Sequence, residues 1–215
     1  RDLMKGDVAR RLEAELAAIE RAVSAGAREA ELDRLAAQPA FATARRLLAA
    51  AKVPAACELL DELETAGEPT LVFSSHVAPV RTIGERVGWA VIDGDVTGAR
   101  RGSIREEFQV GHYTAASLGS GAAAAGAWAA GVSMSIRAAS ESLTLTRSSQ
   151  VIFLDRDLVP ARNEQAECRA HRIGQRRSVT VTCLVADHPV DRRIAALLAA
   201  KSAFRGALLG AVENR

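Results

Sequence analysis

Aromatic side chains are scarce in this 215-residue chain, with five Phe, two Trp and one Tyr, so a core must be assembled mainly from aliphatic residues and alanine. Cysteine is equally sparse. Cys57, Cys168 and Cys183 are odd in number and lack paired spacing, which argues against a disulfide framework or a zinc site. The histidines His76, His112, His171 and His188 are scattered, and no metal site is expected. No run of about 18 apolar residues is free of charge, and Arg1-Asp2-Leu3-Met4-Lys5 lacks the apolar core of a signal peptide. No membrane partner is expected, and an intracellular protein, cytoplasmic or nucleoid-associated, is the default. A strong charge of one sign is also missing. The net charge is +2, with residues 67–215 mildly basic, which is compatible with nucleic acid without requiring it. Gly-x-x-x-x-Gly-Lys-Ser/Thr occurs nowhere, so the chain carries no phosphate-cradling loop of that type and is expected not to hydrolyse a nucleotide alone.

What the chain does have is apolar periodicity. Val8, Leu12, Leu16, Ile19 and Val23 recur at helical spacing and predict an amphipathic helix over 7–25, ending near Gly26. Further helices are predicted at roughly 27–37 and 40–50, and another beginning at Pro54 with Cys57, Leu60 and Leu63 inward. Leu59-Leu60-Asp61-Glu62 imitates a magnesium-positioning acidic box. Its helical setting predicts that the two acids face solvent.

At Gly67 the pattern changes. Leu71-Val72-Phe73 reads as a strand, Val80, Ile83 and Val87 as a helix stopped by Gly88, and Trp89-Ala90-Val91-Ile92 as a second strand. Asp93-Gly94-Asp95 forms a turn, Thr97 an N-cap, and Ile104 and Phe108 the inner face of the next helix. Strands follow at 132–136, 151–154 and 179–185, with a helix over about 161–172 and two more helices closing the chain. Alternating apolar strands and helices predict an α/β fold whose parallel sheet is covered by helices on both faces. In such sheets ligands bind beyond the carboxyl ends of the strands, where Ser75, Asp93, Glu141 and Asp155 fall. The Ala/Gly-rich stretch 119–131, with Trp128, has no functional reading.

The most specific stretch is Gln165-Ala166-Glu167-Cys168-Arg169-Ala170-His171-Arg172-Ile173-Gly174-Gln175. On a helix, Gln165, Arg169 and Arg172 would share one face, and two guanidiniums suit a phosphate-rich ligand. A solvated helix face is the plainer alternative. The stretch resembles motif VI of Swi/Snf-type superfamily 2 helicases, Gln-Ala-x-Asp-Arg-x-His-Arg-Ile-Gly-Gln, most like the annealing-helicase branch. Other blocks resemble the same family in order: Leu71–His76 its motif IV, Asp93–Gln109 the next block, Arg137–Thr146 its motif V, and Asp155–Ala161 the link to motif VI. The resemblance covers about residues 40–201. The departures are Cys168 in place of an acid, Ser142 in place of glycine, and Leu158 in place of an aromatic residue.

The resemblance implies a RecA-like helicase C-terminal lobe over 67–201. Residues 1–66 would form a helical segment packing on it, with 40–66 already within the family pattern, and 202–215 a C-terminal helix. It implies arginine fingers at Arg169 and Arg172, assisted by Gln165, with Glu141 and Ser142 also near the nucleotide. It implies a DNA track using Ser75, His76, Asp93, Gly94, Arg100, Arg101 and Thr144. The cofactor would be ATP with Mg2+, held mainly by an N-terminal RecA-like lobe expected upstream, and the partner double-stranded or forked DNA. The chain begins at Arg1 rather than Met, which adds to the expectation of a longer polypeptide. The alternative is a degenerate RecA-like module that binds DNA or a protein without ATPase activity.

Overall fold

The computed structural model describes residues 7–27, 29–112, 130–140 and 143–213. Within these the chain divides into two compact units. One comprises the residues up to Leu48, Leu158–Pro160 and the residues from Ala186 onward; the other comprises Ala49–Asp157 and Ala161–Val185.

In the first unit, helices α1 (Asp7–Ser24), α2 (Glu29–Ala36) and α3 (Pro39–Ala51) form as the periodicity predicts. Leu12, Leu16 and Ile19 of α1 are buried against Phe41 and Ala44 of α3 and against Val190, Ile194 and Leu197 of the last helix. The Glu15 carboxylate accepts the Phe41 N–H at 2.7 Å, filling one of the donors left open at the start of α3. Lys201 is fully buried, and its ammonium is paired with Asp33 and with the Leu158 carbonyl. The two closing helices predicted from the sequence are one continuous helix, Pro189–Glu213. Nothing between its apolar clusters breaks it, because neither proline nor a glycine stop intervenes.

The second unit holds helix α4 (Val53–Thr65) and a five-stranded sheet of β1 (Thr70–Ser74), β2 (Ala90–Ile92), β3 (Gly131–Ser135), β4 (Gln150–Phe153) and β5 (Thr180–Cys183). All pairings are parallel and the order is β2-β3-β1-β4-β5. Between the strands lie α5 (Val77–Val87), α6 (Gly98–Val110) and α7 (Pro160–Glu167). The last helix of the chain, Pro189–Glu213, is α8.

The two-residue alternation of a strand divides the core. Leu71, Phe73, Val151 and Phe153 point to the side where Ile104 and Phe108 of α6 and Ala166 of α7 pack. Val72, Ile152 and Leu154 point to the side covered by Val53, Ala56 and Leu60 of α4 and Ile83 of α5. Phe73 and Phe153 stack with ring centroids 5.4 Å apart. Asp61 and Glu62 are exposed on α4, as the helical reading requires. Gly88 ends α5 in the left-handed region at φ 69°, and the Thr97 hydroxyl accepts the Arg100 N–H at 3.4 Å at the start of α6.

The edge strand β5 is the least enclosed of the five. This edge strand is only partly covered, with Val181 41% exposed. Its alternate threonines fit that position better than the apolar reading did.

Close packing is tightest at Gly131. A Cβ there would lie 2.1 Å from Trp89 Cζ3, so Gly131→Ala is expected to destabilise the protein by about 1–3 kcal/mol, read by urea denaturation. Trp89→Leu in the same background should recover part of the loss.

Candidate functional site

The loops after the strands carry the predicted chemistry, and the structure sorts them into three places. After β1, the Ser74 and Ser75 hydroxyls both donate to the Asp155 carboxylate, which comes from the loop after β4. The Ser75 N–H also points at Asp155 at 3.3 Å, and His76 Nε2 lies 3.9 Å from it. The expected backbone contacts Ser75 and His76 are thus set by one acid, with both residues half-buried at the carboxyl end of the sheet. Pairwise reading of the sequence had no means of joining positions 80 apart.

After β2, Asp93 is 3% exposed and accepts from Arg81 Nε at 2.7 Å and from the Asp95 N–H at 2.9 Å. Burial would raise its pKa, but the Arg81 guanidinium and the N–H groups of Asp95 and Val96 outweigh it and hold the carboxyl below the usual range. Arg101 is 7% exposed and donates to the Asp93 carbonyl at 2.9 Å. Asp93 and Arg101 therefore brace this turn, whereas Gly94 and Arg100 face solvent. The sequence did not separate the two adjacent arginines because the inward turn of Arg101 depends on the buried face of α6.

The third place is the arginine segment. Here the helix predicted over 161–172 stops at Glu167, and the residues beyond it run through tight turns. Gln165 stays on α7, exposed, while Arg169 and Arg172 leave it. They do not share a helical face with Gln165. Arg169 turns inward, 9% exposed, with Nε donating to the Gln165 carbonyl at 3.1 Å and an Nη to the Leu143 carbonyl at 3.3 Å. Burial, and then the neighbouring Arg172 charge, push its pKa down from the ordinary arginine value. Arg172 turns outward, exposed, and donates to the Thr144 hydroxyl at 3.2 Å. The two line an open hollow together with Cys168, His171, Ile173 and Arg177.

Two backbone carbonyls, not a side chain at 168, seat Arg169, and Cys168 is exposed. Leu158 packs partly buried against the apolar cluster of the first unit, which suits an aliphatic residue. Glu141 and Ser142, and Trp128 with most of the 119–131 stretch, lie outside the described residues.

A further tie was not anticipated. Arg177 Nη2 lies 2.5 Å from Glu68 just before β1, and the Ser149 hydroxyl donates to the same carboxylate at 3.0 Å. The Arg177 hydrogen bond comes first among the causes holding the Glu68 carboxyl below its ordinary 4.5. A depressed folded-state pKa contributes stability that is present above the unfolded value and is lost as pH falls through the folded one. Acid titration of stability should show a small loss below about pH 4.5 that Glu68→Gln lacks, reduced by salt because the pair is solvent-accessible.

Chemically, an exposed guanidinium beside a buried one fits an anionic phosphate ligand. Among the described residues no group of three or more His, Cys, Asp or Glu is placed to hold a metal ion. No helix among them is long and apolar enough to cross a membrane.

No family model matches the chain. It is 31% identical over 150 residues to the human DNA annealing helicase and endonuclease ZRANB3, covering 67% of this chain and 12% of that protein. It is 32% identical over 149 residues to the SWI/SNF-related matrix-associated actin-dependent regulator of chromatin subfamily A-like protein 1 of Xenopus tropicalis, covering 66% of this chain and 14% of that protein. The chain thus spans only about an eighth of the length of these relatives. Among solved structures, the C-terminal part of the Fun30 ATPase domain superposes with a TM-score of 0.54 at 22% identity, over 68% of this chain and 45% of that one, which supports the fold. With these relatives and an all-parallel RecA-like sheet, the chain belongs to the Swi/Snf-type superfamily 2 ATPases.

Proposed function

We propose that this chain is the second motor lobe of an ATP-driven DNA translocase, and that it lends an arginine to a nucleotide held by a preceding RecA-like lobe. The observation that carries this reading is the division of labour between the two arginines. Arg169 is seated in the fold by carbonyls, while Arg172 stands exposed at the rim of the hollow. Arg172 is the finger that meets charge developing on the γ-phosphate, and Arg169 is the support that sets its place. Gln165, exposed at the end of α7, helps position the nucleotide or a water. Glu141 and Ser142 belong to the same proposed nucleotide side.

ATP supplies the phosphoryl group and Mg2+ neutralises its charge, both held mainly by the other lobe. The DNA side uses hydroxyls and backbone N–H groups, with Thr144, Ser75, His76, Gly94 and Arg100 facing the phosphodiester backbone of duplex or forked DNA without base readout. Asp93 and Arg101 shape that surface from beneath. The degenerate-module alternative loses part of its ground, because the Cys168 departure leaves Arg169 fully seated.

The test is ATP hydrolysis by the full-length protein with and without duplex DNA. DNA-stimulated hydrolysis supports the reading, and its absence favours the degenerate module. The 215-residue chain by itself is expected to hydrolyse no ATP above background; measurable turnover would show that the lobe or the family role has been misassigned.

A further inference from the structure

The segment Leu143–Ser148 and the segment Arg169–Arg177 are tied at one end by Arg169 and Arg172 and at the other by one planar side chain, the half-buried amide of Gln175. Its Nε2 lies 3.1 Å from the Thr146 carbonyl, 2.7 Å from the Ser148 carbonyl and 3.2 Å from the Ala170 carbonyl. Its Oε1 accepts the Arg177 N–H at 2.9 Å. An amide has two N–H donors, so three carbonyls share two protons and the donor side of the group is fully used. Gly174, at φ 103°, supplies the backbone turn immediately before it.

The consequence is mechanical. Thr146 and Ser148 lie on the same short stretch as Thr144, whose hydroxyl meets Arg172, and Ala170 lies between Arg169 and Arg172. A shift of the first segment must drag the second or break these bonds. A second glutamine holds the same stretch from the opposite side. Gln109, on α6, donates to the Thr146 hydroxyl at 3.2 Å and accepts the Arg147 N–H at 3.0 Å, and Arg147 donates to the Phe108 carbonyl at 3.2 Å. Gln109 has no hydrogen bond to the arginine segment among the described residues.

We infer that Gln175 is a positioning residue that transmits DNA engagement at the Thr144 segment to the placement of Arg172. The inference deepens the motor-lobe reading and rests on it. Gln109 supports the DNA-facing segment alone, so the two glutamines separate support from transmission.

The experiment measures ATP hydrolysis by the full-length protein with and without duplex DNA, for the unchanged protein and for Gln175→Ala, Gln175→Met and Gln109→Ala, with thermal melting as a folding control. Gln175→Ala and Gln175→Met are expected to keep DNA-free hydrolysis within about twofold and to lose about tenfold in DNA stimulation. Gln109→Ala should keep stimulation while weakening DNA binding. Equal loss of stimulation in the Gln175 and Gln109 variants would reduce Gln175 to ordinary support, and full stimulation in the Gln175 variants would overturn the inference outright. Hydrogen exchange on the unchanged protein gives an answer that needs no variant. DNA should slow exchange over 144–148 and also over 170–177, and slowing confined to 144–148 contradicts the link. Absence of any DNA stimulation in the unchanged protein instead refutes the motor reading itself, and with it the premise of this one.

Discussion

Arg172→Ala in the full-length protein is expected to lower DNA-stimulated ATP hydrolysis by about 10³–10⁵-fold while leaving the melting transition in place. The two halves of that expectation come from the same geometry. The guanidinium is exposed and meets only the Thr144 hydroxyl among the described residues, a contact whose loss costs the fold little. In the proposed motor its value lies in the transition state, where a fixed cation near the transferring phosphoryl group acts with little reorganisation. Arg172→Lys should recover little of the loss. An ammonium keeps the charge but not the planar fork that can grip two phosphate oxygens while retaining Thr144. A variant protein with unchanged stimulated hydrolysis would remove Arg172 from the active site.

Arg169→Ala is expected to behave differently, losing stability as well as activity. Its guanidinium is 9% exposed and makes charge-assisted bonds to the Gln165 and Leu143 carbonyls. Removing it leaves both carbonyls short of a donor and opens a gap beneath the motif V stretch, a loss of about 3 kcal/mol by urea denaturation. Hydrolysis should fall with it, because the Leu145 N–H bonds to the Arg169 carbonyl at 2.9 Å and the two stretches move together. Unchanged stability would show that Arg169 is not the support proposed for it.

The contrast between these arginines marks what the sequence could and could not reveal. Helical spacing set Gln165, Arg169 and Arg172 on one face, yet α7 ends at Glu167. Periodicity reports where a side chain would point if the helix continued. It carries no information on the carbonyls of Leu143 and Gln165 that draw Arg169 inward. The strands were legible because their apolar runs are buried on both faces: Leu71 and Phe73 on one side and Val72 on the other leave no polar position to obscure the pattern. The exposure of the edge strand β5 is not legible, because a run such as Val179–Val185 looks the same whether or not a neighbour lies beyond it.

Motif resemblance picks out the candidate residues, but not the contacts they make within the fold. Asp93 and Arg101 entered as DNA contacts and are bound up in the β2–α6 turn. Asp155 is legible as a strand-end acid opening the link to motif VI, but not as the group that gathers Ser74, Ser75 and His76. Gln175 drew no separate attention as the last letter of a motif, since nothing local to it shows that Thr146 and Ser148 come within reach. Long-range hydrogen bonds of this kind depend on tertiary placement rather than on local pattern.

The central claim is that an arginine of this lobe completes a nucleotide site belonging to another. ATP hydrolysis by the full-length protein, with and without duplex DNA and with Arg172 intact or replaced by alanine, tests it most directly. The account predicts hydrolysis that rises with DNA and collapses in Arg172→Ala at unchanged melting temperature. Hydrolysis indifferent to DNA, or indifferent to the loss of Arg172, would contradict it.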